Sequence, residues 1–408
     1  MELTGLPTNF LERPLRHGTT SRLIICDPVC ALPYGHNLAA MQNFRRFLGN
    51  QYEEIICVGS SYIPDAIAEK ANIDRGFGYY YHDVLPLPTG ISDDDISISH
   101  AEKVTRAKAD LVALLIRLKV ESTDTICYPS ADFYSLFALA ESIGELHQCG
   151  GPKILLRLIG VMEAAASAKY ARPLAVALTL INRLCASGIP VRLAAETPRY
   201  AEYLSVQLDR AVAVAPNIEL FDQVALPAGD HFTVICPGSA RYDKGFLYLV
   251  ELFQSVRQQD PELRIRFRTQ TLPDRDLRHQ LSYLTKLYSI PGTTILPSQI
   301  SAEEVRRMYE ESDLVLLPYA HEVYAFRGSA VMIEATCIGR HCLALDGPAF
   351  IDQMRYFGTG TVCASVSDMA SKIVTFSKLS PVVRFARARQ ARHRFLLDLG
   401  VSYRDWIS

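Results

Sequence analysis

Short apolar, β-branched runs alternate along the chain with longer stretches whose apolar residues recur at three- and four-residue spacing. The runs predict strands at Arg22–Cys26, Glu54–Val58, Asp124–Tyr128, Lys153–Arg157 and Val191–Ala194 in the first half. A second group falls at Phe232–Cys236, Leu263–Arg268, Thr293–Leu296, Asp313–Leu317 and Cys342–Asp346. Between them, Phe246, Leu249, Val250 and Phe253 make one helical face, and Leu277, Leu281 and Leu284 another. Ser301 with Glu304 reads as a capping box ahead of Val305, Met308 and Tyr309. Such alternation predicts an α/β protein with parallel sheets covered by helices, in two doubly wound halves. The join is expected in residues 215–231, where two prolines and a glycine precede a strong strand. The last segment, 380–408, reads as an Arg-rich helix. No repeat of fixed short period is visible.

Composition narrows the classes. The chain has 408 residues, 49% of them apolar and 21% charged, enough to build ordinary cores. Its 44 acids and 42 bases leave a net charge of −2, so no global basic field favours nucleic acid. No apolar run approaches the ~18 residues of a membrane span; the richest, Ile159–Ala186, is broken by Glu163, Lys169, Arg172 and Arg183. The first residues carry no apolar stretch of signal-peptide type, so a cytoplasmic location is expected. Ten scattered cysteines without a CxxC pair read as free thiols of a reducing compartment.

In open parallel sheets, ligands bind beyond the carboxyl ends of the strands, so the following loops carry the candidate chemistry. The segment 236–246, CPGSARYDKGF, sets Gly238, Arg241 and Lys244 between a strand and a helix. An anion there would meet free N–H groups, a helix dipole and two cations; the alternative is a turn with solvated charges. The segment 318–339 brings Gly328 and Ser329 to a second helix start, then Glu334 inside an apolar helix. A carboxylate in that setting needs donors, which a vicinal diol such as a ribose supplies; a cap or an Arg partner is the other reading.

These segments, in this order, resemble the retaining nucleotide-sugar glycosyltransferases of the GT-B fold, the large family-4 group. The resemblance rests on PGSARYDKGFLYLVELF, ILPSQISAEEVRRMYEESDLVLLPY and RGSAVMIEATCIGRHCLALD, and spans about Phe232–Asp346. It implies two Rossmann-like doubly wound domains facing a central cleft: residues 1–220 for the acceptor, 221–380 for the nucleotide sugar, and 381–408 as a helix crossing back to the first domain. It implies that Arg241 and Lys244 hold the donor diphosphate, with Gly238, Gly328 and Ser329. Glu334 matches the second glutamate of the family's E-x7-E motif and would hold the ribose hydroxyls. Ser298 and Gln299 lie where relatives read the base. Two departures stand out. Phe326 occupies the place of the first glutamate, leaving Glu322 or Arg327 to take part of its work. Arg268 and Thr269 stand where many relatives have glycines.

In the first half, His36 follows the loop after Arg22–Cys26 and is open to contact with acceptor or sugar, or to being an exposed loop histidine. Asp132, in the Pro129–Asp132 loop where many relatives carry a histidine, is a catalytic candidate or a helix N-cap. The D-x-D-like runs at 93–95 and 274–276 read as helix starts, so no metal is expected. The expected activity is transfer of a sugar, with retention, from a UDP- or GDP-sugar to a saccharide or lipid-linked hydroxyl, in polysaccharide or glycoconjugate synthesis. No cofactor is expected beyond that substrate. The alternatives are a GT-B sugar-nucleotide epimerase or hydrolase, or a non-catalytic GT-B partner protein. The Arg-rich terminal helix is either a peripheral contact at the inner face of the membrane or a solvated face.

Overall fold

The computed structural model describes residues 21–31, 36–78, 100–160, 168–225, 227, 230–238, 240–273 and 280–408. The chain divides into two compact units. The first comprises residues 1–196, 200–218 and 400–408, the second 197–199 and 219–399.

The first unit is built on a parallel sheet. Its strands are β1 (Arg22–Cys26), β2 (Glu54–Ser60), β3 (Asp74–Phe77), β4 (Thr125–Tyr128), β5 (Lys153–Leu158), β6 (Val191–Ala195) and β7 (Ala213–Val214), ordered 3-2-1-4-5-6-7. The crossover helices are α1 (His36–Leu48), α2 (Asp65–Ala71), α3 (His100–Arg117), α4 (Phe133–Glu141), α5 (Ile143–Gln148), α6 (Ala168–Ala186) and α7 (Pro198–Leu208). The central strands are buried on both faces, which explains their near-continuous apolar runs.

The second unit repeats the plan. Strands β8 (Phe232–Cys236), β9 (Ile265–Gln270), β10 (Thr293–Leu296), β11 (Leu314–Leu317), β12 (His341–Leu345) and β13 (Gly360–Cys363) are ordered 10-9-8-11-12-13, again 3-2-1-4-5-6 in their own sequence. Helices α8 (Leu249–Gln259), α9 (Leu281–Tyr288), α10 (Ala302–Glu310), α11 (Ala330–Ile338), α12 (Phe350–Phe357), α13 (Val366–Ser377) and the first part of α14 (Pro381–Ile407) cover it. Phe253 on α8 stacks on Phe267 of β9 at 4.0 Å inside a core shared with Leu249, Leu314 and Ile373.

Five strands per half were expected, and the sheets have seven and six. The additions β3, β7 and β13 all lie at sheet edges. One face of an edge strand stays half exposed, so DRGF, AV and GTVC carry no apolar run to betray them. All ten cysteines are free. Among the described residues, no helix is long and apolar enough to cross a membrane.

Candidate functional site

Strand order reverses between β8 and β11, and the loops leaving these two strands carry the cationic segments. A crevice at such a switch point is where an open α/β sheet receives a ligand. Sequence-local rules shape both loops. After β8 the chain turns at Gly238 (φ +90°), where a Cβ would stand 2.9 Å from Lys244 Nζ and 3.6 Å from Val331 on α11. The positive φ is what calls for glycine here, since the flexible lysine end could yield and the Val331 contact is an ordinary one. Residues Tyr242–Lys244 form a 3₁₀ turn closed by Gly245 (φ +76°). Gly245 lies so close to the second loop that a Cβ would sit 2.0 Å from the Pro318 carbonyl oxygen. The Ala320 amide donates to the Asp243 carbonyl (2.8 Å), tying the two loops together.

The groups brought together are mostly donors. Arg241 donates through Nη2 to Asp243 (2.7 Å) and to the Tyr324 hydroxyl (2.9 Å), while its buried Nε has no partner among the described residues. Burial opposes its charge, and the neighbouring Tyr324 and Asp243 more than offset this, leaving its pKa above the ordinary value. Among the described residues the Lys244 ammonium makes no ion pair; it lies over the Tyr319 ring at 5.9 Å. Burial, then the positive charge of Arg241, pulls its pKa down to about 8. Tyr319, 3% exposed, carries its hydroxyl beside Ser329 without a well-formed hydrogen bond. Ser329 caps α11, its Oγ accepting from the Met332 amide (3.2 Å), and Gly328 precedes it. Arg327 stacks on the Tyr324 ring at 5.1 Å. Buried donors without acceptors, two cations and a helix N-terminus make a place that wants an anion.

Glu334 sits one turn into α11 and accepts from the buried Tyr309 hydroxyl (2.6 Å). Burial and this carboxylate push the Tyr309 phenol well up, so it stays a donor. Glu334 thus has a protein donor, a tyrosine hydroxyl in place of the cap or Arg partner read from sequence. Ser298 and Gln299 follow β10; the Ser298 carbonyl accepts from Gln270 Nε2 (2.9 Å), and Gln299 is exposed. Glu322 pairs with His321 (3.1 Å) with two thirds of its side chain open to solvent, and no described contact joins it to Arg241 or Lys244.

In the first unit, Asp132 takes the capping role: it accepts from the amides of Tyr134 (2.9 Å) and Ser135 (3.3 Å) at the start of α4. His36 opens α1, and its side chain lies outside the described residues, as do the acidic runs at 93–95 and 274–276. Among the described residues no cluster could hold a metal ion. Arg157 is buried and fully engaged by the carbonyls of Ala215 (2.6 Å) and Pro129 (2.9 Å), by Asn217 (2.8 Å) and by Glu196 (3.3 Å), which makes it a structural brace.

Residues 217–384 match the family model described as "Glycosyl transferases group 1". The second unit thus carries a glycosyl transferases group 1 domain, on a fold of GT-B type. Solved structures agree on the fold. A trehalose 6-phosphate synthase from Burkholderia multivorans is 13% identical, with TM-score 0.61, and the alignment covers 95% of each chain. Anabaena HepE, in complex with UDP and glucose, is 13% identical with TM-score 0.62, over 95% of this chain and 99% of that one. A glycosyltransferase from Rickettsia africae is 11% identical with TM-score 0.57, over 96% and 98%. No curated protein matches the chain by sequence. The whole β8–β11 crevice lies inside the matched segment.

Sequence reading found the cations and Glu334 of this site but missed Tyr319, Tyr324 and Tyr309. Their signal was present only as tyrosines beside a strand end or on a helical face, where an aromatic core residue reads the same way.

Proposed function

We propose that the chain is a retaining glycosyltransferase that binds a nucleoside-diphosphate sugar in its second unit. The observation that carries this is the set of unmet donors at the β8–β11 crevice: the unpaired Lys244 ammonium, Arg241 Nε and the Tyr319 hydroxyl, at the capped start of α11. A diphosphate supplies the acceptors they lack. As the sugar–phosphate bond breaks, negative charge grows on the leaving diphosphate, and these groups stabilise it most where water is excluded. Attack from the same face lets the leaving phosphate take the proton of the acceptor hydroxyl. This route needs no pair of carboxylates flanking the bond. Gly238 lets the backbone close on the phosphates, Arg327 adds charge beside them, and Glu334 with Tyr309 meets the ribose.

The donor is a UDP- or GDP-sugar; the binding of UDP and glucose by the structurally similar HepE supports the first. The acceptor is a saccharide or lipid-linked hydroxyl, met by the first unit with His36, in the synthesis of a polysaccharide or glycoconjugate. The expected location is the cytoplasm, with exposed Arg387, Arg389 and Arg394 on α14 available for a peripheral contact at the inner face of the membrane.

Thermal shift with UDP, GDP, ADP, dTDP and CMP, on the wild type and on Lys244→Ala, tests the donor site. A ligand of the folded state raises the melting temperature by mass action. A rise with one diphosphate that vanishes in the variant is the expected result. Wild-type turnover of the true donor by Lys244→Ala and Arg241→Ala would mean that the site is elsewhere.

A further inference from the structure

A second unmet polar group lies beside the anion-binding cluster. Gln270 ends β9, where Thr269 pairs with Cys236 of β8 and Gln270 with Leu296 of β10. It therefore sits one step beyond the last residue of β8, at the carboxyl edge, with the crevice loop on one side and the Pro297–Gln299 loop on the other. Its side chain is 3% exposed. Nε2 donates to the carbonyls of Ser298 (2.9 Å) and Pro297 (3.4 Å), which fixes which end of the amide is nitrogen. Oε1 is shielded from solvent and has no partner among the described residues.

A buried carbonyl oxygen without a donor is costly, and native proteins rarely leave one so without a reason. Oε1 only accepts, so phosphate oxygens cannot satisfy it. A ligand reaching it must bring N–H or O–H. The strand order places β9 and β10 on the side of β8 away from β11, so the part of a nucleotide lying here is the part remote from its diphosphate.

We propose that Gln270 is a specificity-determining residue, its Oε1 accepting from an N–H on the edge of the donor's nucleobase. This rests on the nucleotide-sugar reading above. The Pro297–Ser298 carbonyls then act by locking the amide in orientation. A site built around a fixed acceptor discriminates strongly against a base whose N–H is blocked, because the acceptor is left buried and unpaired.

The test is calorimetric titration of the full chain, wild type and Gln270→Leu, with UDP, GDP and ADP and with their N3-methyl, N1-methyl and N6,N6-dimethyl analogues. The expected result is that the wild type binds its preferred parent about tenfold or more tighter than the methylated form. In Gln270→Leu that ratio collapses towards unity. The wild-type arm needs no variant and holds even if Gln270→Leu folds poorly. Equal wild-type affinity for parent and methylated nucleotide overturns the proposal, and places a sugar hydroxyl or a water at Oε1. A ratio unchanged by Gln270→Leu also overturns it, because another group then reads the N–H. Binding of no nucleoside diphosphate by the wild type overturns both this and the nucleotide-sugar reading, whereas the first two results leave that reading standing.

Discussion

Lys244 shows how a binding residue works against the stability of the empty fold. Its ammonium is held in a dry position with a second cation nearby, and its pKa falls to about 8 from the ordinary 10.5. Between those values the unfolded chain binds more protons than the folded one, so this residue's contribution to stability rises with pH across that window. Removing the charge removes the penalty. Lys244→Met is expected to raise the ligand-free melting temperature at pH 7 by a few degrees, at about 2–4 °C per kcal/mol, and to abolish the shift given by nucleoside diphosphate. Diphosphate binding needs the charged form, so wild-type affinity should fall as pH rises above about 8; a Kd flat from pH 7 to 10 would remove Lys244 from the phosphate site. Asp132 is a contrasting residue: it works locally, by capping α4. Asp132→Ala is expected to cost about 1 kcal/mol in urea unfolding, with nucleotide affinity in the second unit unchanged.

At the scale of elements, most helix boundaries were legible because their chemistry is local. The capping box at Ser301 and Glu304 forms as read, with Ser301 Oγ accepting from the Glu304 amide and the Glu304 carboxylate from the Ser301 amide. The ten expected strands were legible because each carries an apolar or β-branched run, even β10, which lies half exposed at a sheet edge, whereas β3, β7 and β13 exist only because a neighbouring strand offers hydrogen bonds to an otherwise ordinary segment. The β8–β11 crevice depends on one non-local approach, Gly245 against Pro318, that no spacing rule shows. Gly245→Ala combines a positive φ with a contact far inside van der Waals distance. It is expected to destabilise the second unit by about 2 kcal/mol or more, read as a lower melting temperature and a lost nucleotide shift.

At the scale of the whole molecule, one helix serves both units. Residues of α14 up to Leu399 group with the second, and Gly400–Ser408 with the first. There Tyr403 and Trp406 are buried, Tyr403 packing edge-on against Phe44 (5.7 Å) and Phe47 (5.2 Å) and donating to the Pro216 carbonyl (2.8 Å). Truncation after Leu399 should therefore destabilise the first unit by several kcal/mol, since losing one large core aromatic costs about 3–5; hydrogen exchange would locate the loss at α1 and β5. The sequence by itself determined the α/β class, the two halves and the cationic loops of the second, because hydrophobic period, caps and glycine turns act over a few residues. Only the tertiary structure decided which hydroxyls and amides face those cations, that Tyr309 reaches Glu334, and that Gln270 leaves an oxygen unmet. Those facts come from strand order, which places residues far apart in the chain side by side and withholds from each the water that would otherwise have satisfied it.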